Sequence, residues 1–267
     1  MPDEHSSTVV TGRTTRHVTT GCLILLLLLT CLVTYFWYSV WHAGHVNEHR
    51  KQEAFATVAR HAHDAAATAD TFLNSAHAND TEAVDLVWKY TKAPVISHNP
   101  AQNRFTTYIN RSAVYNEMGI VLAGGPIKVD RCFALTYHRT TTEWKTSVHA
   151  ADSALCKPGS ILATAANGTQ SRLRQAAGKS LTDTDIAREF NLTNKVWHTG
   201  FVLGATHRQN GAVAITGLLY SKDTEHGGGT TRQCYRFDVP LLGSHAAPPD
   251  SSGTARPVAD GECATSR

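Results

Sequence analysis

From Val18 to Trp41 the chain runs 24 residues without a charged side chain, and Leu23–Leu29 is leucine throughout except Ile24. A helix crossing the hydrocarbon of a bilayer needs about 20 apolar residues, whereas the core of a cleavable signal is about 7–15 residues and ends at small side chains. Here the far end is Tyr35-Phe36-Trp37-Tyr38 and then Trp41, rings suited to the headgroup interface. A cut after Ala43 would place bulky Trp41 at the third position before the cut. The segment therefore predicts an uncleaved anchor over 18–41, preceded by a tail of residues 1–17. Cys31 follows Leu28-Leu29-Thr30, a poor lipidation signal, and apolar residues continue beyond it.

Orientation rests on cysteine. Arg13 and Arg16 precede the anchor, while Arg50, Lys51 and Arg60 follow at greater distance, so flanking charge is nearly balanced. Beyond the anchor stand Cys132, Cys156, Cys234 and Cys263, an even number with no Cys-x-x-Cys spacing. That pattern reads as disulfides in an oxidising compartment rather than a zinc site. The expectation is a plasma-membrane protein that crosses once, N-terminus cytoplasmic and C-terminal domain extracytoplasmic. Cys22 and Cys31 read as small apolar residues of the anchor.

The part outside the membrane carries 23 Lys+Arg against 20 Asp+Glu, a net +3, without a basic run longer than Arg50-Lys51. No electrostatic footprint for nucleic acid is present. Its length allows a real core.

Residues 42–78 predict a long juxtamembrane helix. Phe55, Val58, Ala62, Ala65, Ala69, Phe72 and Ala76 alternate by three and four. The Ala-rich seam reads either as a homodimer contact or as a face lying on the chain's own domain. Asp80 or Thr81 is the expected N-cap of a second helix reaching Tyr90, and Pro94 prevents continuation. From Arg104 the period becomes two, with strands expected at Arg104–Ile109, Gly119–Ala123, Val129–His138 and Thr142–His149. Lys157–Gly178 reads as a small-residue connection with a short helix near Arg172–Ala177. Thr182 or Asp183 caps a helix to Phe190. Strands follow at Gly200–Arg208, Ala212–Tyr220 and Thr231–Val239. Asn210-Gly211 forms a hairpin turn between the first two, and Gly227-Gly228-Gly229 loops to the third.

Two segments resemble each other: Asp130-Arg131-Cys132-Phe133-Ala134-Leu135 and Arg232-Gln233-Cys234-Tyr235-Arg236-Phe237. In both an aromatic follows the Cys and an apolar residue sits two further on. A second Cys comes 24 and 29 residues later. This reads either as a duplication, with halves 79–160 and 161–267, or as two unrelated strands that each place a Cys inward. Related halves would pair Cys132 with Cys156 and Cys234 with Cys263. The Pro-rich tail Pro240–Glu262 cannot by itself offset its ordering entropy, so a Cys234–Cys263 bond is expected to draw it back.

No stretch predicts a catalytic, cofactor-binding or metal-binding site. Gly178-Lys179-Ser180 has Leu173 where a phosphate-binding loop requires its first Gly. His-Glu-x-x-His, Gly-x-Ser-x-Gly and Ser-x-x-Lys are absent from the sequence. Histidine is the enriched residue, fifteen in all. His42, His45 and His49 share a helix face beside the anchor, with His61 and His63 beyond. They suit a divalent metal or a pH response near 6.5, or simply a solvated face. Asn79, Asn110, Asn167 and Asn191 head Asn-x-Ser/Thr triplets.

Abundant Ala, Thr, Gly, His and Arg with scarce Lys and Ile resembles exported actinobacterial proteins. A helix after the anchor followed by curved sheet, over residues 50–150, resembles the NTF2-like ectodomains of actinobacterial cell-envelope and transfer proteins. The expected class is α+β: one transmembrane helix, a juxtamembrane helix, and mainly antiparallel sheet with packed helices. The expected function is a membrane-anchored scaffold or partner-binding protein of the envelope without enzymatic activity. The alternatives are a ligand or pH sensor, and an anchored hydrolase with dispersed residues, which a pocket holding His207 or His226 beside an acid would favour.

Overall fold

The computed structural model describes residues 14–119, 124–178, 180–209, 211–221, 231–241 and 254–264. The chain is α+β. A first helix α1 (Thr14–Ser75) and a second α2 (Asp80–Thr91) precede strands β1 (Ile96–Asn99), β2 (Arg104–Asn116), β3 (Pro126–Arg139) and β4 (Trp144–Ala151). Helices α3 (Ser153–Ala176) and α4 (Asp183–Trp197) then precede β5 (Thr199–Gln209), β6 (Ala212–Ser221), β7 (Thr231–Pro240), β8 (Arg256–Val258) and a last helix α5 (Asp260–Ala264). The strands form two four-stranded sheets in sequential order, β1-β2-β3-β4 and β5-β6-β7-β8. Each paired register described is antiparallel.

The helices expected over 18–41 and 42–78 are one element: α1 runs 62 residues and ends at Ser75. Its apolar part has a mean hydropathy of 2.2 over 18 residues and none of that window is buried, so the helix is long and apolar enough to cross a membrane. Thr30 and Thr34 donate their hydroxyls to the carbonyls of Leu26 and Thr30, each at 2.8 Å, which keeps both groups satisfied without water.

The chain divides into two compact units. One comprises Met1–Ala54 with Val114–Val129, the other Phe55–Ala113 with Asp130–Arg267. The division expected at 160/161 falls inside α3.

In the larger unit, Val58, Ala62, Ala66, Ala69 and Leu73 of α1 are fully buried. Val58, Ala62 and Ala69 of the expected seam thus face the chain's own interior, while Phe72 is 41% exposed and stacks on Tyr90. Asn74 receives the Trp144 N–H at 2.7 Å and donates to the Trp144 carbonyl at 3.1 Å, closing the outer edge of β4. The N-cap of α2 is Asn79 rather than Asp80 or Thr81: its side chain accepts from the Thr81 and Glu82 amides while Glu82 accepts from the Asn79 amide. Amide and carboxylate close that box reciprocally, an option unavailable to a cap one residue later.

The largest correction is α3, a 24-residue helix where a loose connection was expected. Its small residues are the packing face: Gly159, Ala165, Ala166 and Thr169 are buried together with Leu162 and Leu173. Small side chains let the helix approach the second sheet closely, so a composition that resembles a linker serves contact. Around it lie Ile186, Phe190, Val213, Ile215, Leu219, Tyr235, Phe237 and Val239, the apolar core of the second half.

Other elements are longer than expected, shifted or new. Strand β2 extends to Asn116 and α4 to Trp197, while β4, at Trp144–Ala151, keeps its expected length but is shifted by two residues. Strand β1 was not anticipated. Of the strand expected at Gly119–Ala123, residues 120–123 lie outside the described residues, and Gly119 is not in a strand. Asn210 and Gly227–Gly229 also lie outside them; Gly211 has φ 83°, the left-handed conformation the turn demands. The disulfides are Cys132–Cys156 and Cys234–Cys263, the pairing expected of related halves, each with Cα atoms 5.9 Å apart. The tail does more than trail from its bond. Arg256-Pro257-Val258 forms an edge strand on β7, where a proline is tolerated because one side of the strand needs no donor.

Candidate functional site

The second sheet has two unlike faces. Strand β7 alternates, with Tyr235, Phe237 and Val239 on the helix side and Arg232, Cys234, Arg236 and Asp238 on the other. The register assembles the outer face in rows: His207 opposite Ala214 opposite Asp238, then Thr216 opposite Arg236 opposite Arg256, then Leu218 opposite Cys234 opposite Val258. The Cys234–Cys263 bond holds α5 against this face.

Between Leu203 and Thr206 the β5–β6 register slips. Gly204 lies in the bulge, and a Cβ there would come within 2.7 Å of the Thr216 hydroxyl. That hydroxyl fills the gap in the ladder: it accepts the Ala205 N–H at 2.9 Å and lies 3.4 Å from the Glu262 carbonyl. Bulges of this kind redirect side chains at sheet rims.

Two adjoining hollows result. One of about 330 Å³ is lined by His207, Gln209, Ala214, Arg236 and Asp238. The other, about 280 Å³, adds Thr216, Thr81 and Glu262 and shares His207 and Arg236. Ala214 supplies a low floor in both. The Asp238 carboxylate is bracketed by guanidiniums, with Arg236 Nε at 3.0 Å and Arg256 Nε at 3.9 Å. Arg256 also reaches Asp85 of α2 at 3.7 Å.

Chemically the two hollows combine donors with acceptors. Guanidinium and imidazole offer donors and the carboxylate offers acceptors, a set suited to a small polar ligand or to polar side chains of a partner. A general base needs an orienting partner and a nucleophile within reach. His207 is exposed and has no hydrogen-bond partner among the described residues, Asp238 is held by two arginines, and the Thr216 hydroxyl is committed to the backbone.

His207 was named from sequence, and the structure sets it on the outer face near Asp238; His226 lies outside the described residues. Arg236, Asp238, Thr216 and Glu262 were missed. The signal for the first two was the alternation of charged Arg236 and Asp238 with apolar Tyr235, Phe237 and Val239.

The remaining candidates have structural settings. His42 stacks on Tyr38 and His45 on Trp41, with ring centroids 5.8 and 5.9 Å apart, which lengthens the aromatic belt. His49 lies 3.4 Å from Glu53. Among the described residues, no group of three His, Cys, Asp or Glu is placed to hold a metal ion. Asn79 is an N-cap, and Asn167 accepts the Ala255 N–H at 3.2 Å. Asn110 and Asn191 are exposed.

The first sheet buries polarity of its own. Tyr137 is fully buried with its hydroxyl unpartnered among the described residues; burial, reinforced by Asp70, pushes its pKa well above the usual tyrosine value. Arg111 donates to the Thr91 carbonyl at 2.7 Å, and desolvation lowers its pKa. Thr146 donates to Asp70 at 2.6 Å.

Comparison with protein-family models, with curated proteins and with solved structures finds no match.

Proposed function

We propose that the protein is a single-pass envelope protein of the plasma membrane, N-terminus cytoplasmic, whose extracytoplasmic domain binds a partner and performs no chemistry. Its domain is a tandem of one α-α-β-β-β-β unit with NTF2-like character. Supporting the tandem, both halves share element order, a boxed and left-handed-capped second helix, and a disulfide from the third strand to the helix after the fourth. Supporting the setting, an unburied apolar stretch opens α1 and two disulfides close the domain.

The observation that carries the binding reading is the His207–Arg236–Asp238 cleft, in which donors and acceptors converge without a paired nucleophile and base. A photo-crosslinking residue placed at Gln209, on the cleft rim, is expected to give a discrete adduct in intact cells. The same residue at exposed Lys195 of α4 is expected to give none. Equal, diffuse labelling from both positions would remove the cleft from this reading. The hydrolase alternative draws support from His207 near Asp238; it predicts a turnover lost in His207→Ala, whereas binding predicts adduct loss in Arg236→Ala.

A further inference from the structure

Within the smaller unit, α1 and the end of the β2–β3 hairpin are joined by directional contacts. The Asn47 side-chain amide pairs with the backbone of Met118, accepting from its N–H at 2.6 Å and donating to its carbonyl at 3.0 Å. Arg50 donates to the Asn116 carbonyl at 2.9 Å. As the hairpin advances from Asn116 to Met118, its partners retreat from Arg50 to Asn47. The chain is therefore heading down α1 towards Trp41 at this point. Ala43, Asn47, Arg50 and Ala54 share one helix face, and burial on it extends to Ala43, 3% exposed and two residues past Trp41.

The helix rise converts this into depth. Asn47 is six residues beyond Trp41, about 9 Å along the axis. The headgroup layer extends roughly 5–8 Å beyond the hydrocarbon on each side. With Trp41 at the edge of the hydrocarbon, Met118 is level with the outer boundary of the headgroups, and its side chain is 40% exposed. We propose that Met118, just past β2, is a second lipid contact, resting on the headgroup layer of the bilayer that α1 enters. The proposal rests on the anchor reading above.

The test uses the full chain in phosphatidylcholine nanodiscs, with Cys22→Ala and Cys31→Ala removing the free thiols. An environment-sensitive fluorophore is placed on Met118→Cys or Val114→Cys. The latter side chain is 62% exposed and four residues, about 13 Å, back along the strand, which places it further from the membrane by a smaller height. Quenching by headgroup spin-labelled lipid is expected to be at least about twofold stronger at 118 than at 114, a gradient set by that difference in height. Asn47→Ala is expected to shrink that difference. Quenching that is equal at both positions, or absent at 118, would overturn the contact. A Val33→Cys probe with acyl-chain-labelled lipid separates the failures. Strong quenching there with none at 118 sinks this contact alone; no quenching at 33 sinks the anchor reading and this proposal together. Unlabelled Met118→Trp, read with brominated lipid, guards against disturbance by the fluorophore, and must reproduce the quenching at 118 for the contact to stand.

Discussion

The two halves share a plan and differ in what they bury. In the second, Phe190 lies 5.1 Å edge-on from Phe237 and 5.0 Å from Phe201, within a continuous apolar cluster. In the first, Leu135 occupies the place of Phe237, two residues past the aromatic that follows the Cys, and Tyr137 is buried under the influence of half-buried Arg111 and Asp70. The second half sets buried polar contacts beside that cluster, Gln170 donating to the Asp238 carbonyl at 2.7 Å and Gln233 to the Val258 carbonyl at 2.9 Å. The first combines packing with hydrogen bonds between helix and strand edge, such as Asn74 with Trp144. One topology thus tolerates different placements of buried polarity, provided the alternation that separates its faces is kept.

The comparison can be broken most forcefully at matched core positions. Phe237→Ala is expected to cost about 3–5 kcal/mol and Leu135→Ala about 2–4 kcal/mol, read by denaturant unfolding of the full chain in detergent. A larger loss at Leu135 would reverse the assignment of the stronger apolar core. Removing either disulfide as a Cys→Ala pair should cost roughly 3–4 kcal/mol, because the closed loops of 24 and 29 residues restrict the unfolded chain almost equally. Unequal losses would show that the two clamps are not equivalent.

The buried tyrosines give smaller, opposed effects. The Tyr235 hydroxyl donates to the Pro94 carbonyl, so Tyr235→Phe is expected to cost about 1–2 kcal/mol by leaving that carbonyl unpaired. Burial raises the pKa of both tyrosines above the ordinary 10.0. Each folded-state pKa exceeds its unfolded value, so the associated stability is complete below pH about 10 and declines as pH rises through that value towards the folded pKa. Unfolding midpoints measured between pH 8 and 11 should fall at the alkaline end, less steeply in Tyr235→Phe. Tyr137→Phe should flatten the same profile at little cost, within about 0.5 kcal/mol at neutral pH, since its hydroxyl has no described partner to lose. A loss as large as that of Tyr235→Phe would mean the first half depends on that hydroxyl.

What could be read in the chain itself were features with local causes. The uncharged run Val18–Trp41 marks the apolar helix because backbone groups in hydrocarbon must be satisfied internally. Period-two alternation located β3, β5, β6 and β7 within a few residues, because one face of each is buried. The matched Cys-aromatic-x-apolar segments anticipated equivalent strands: Phe133, Tyr235, Leu135 and Phe237 are all buried and both cysteines are bonded. Tertiary structure decided the rest. The small residues of α3 mean contact or linker depending on whether a sheet lies against them. Strand β8 exists because β7 offers an edge and Cys263 is tied nearby. His207 on β5 and the pair Arg236 and Asp238 on β7 come from two separated stretches of sequence and meet across β6 only once register is set. Asn47 and Asn74 pair with backbone 71 and 70 residues away, and nothing local to either residue announces a partner at that range.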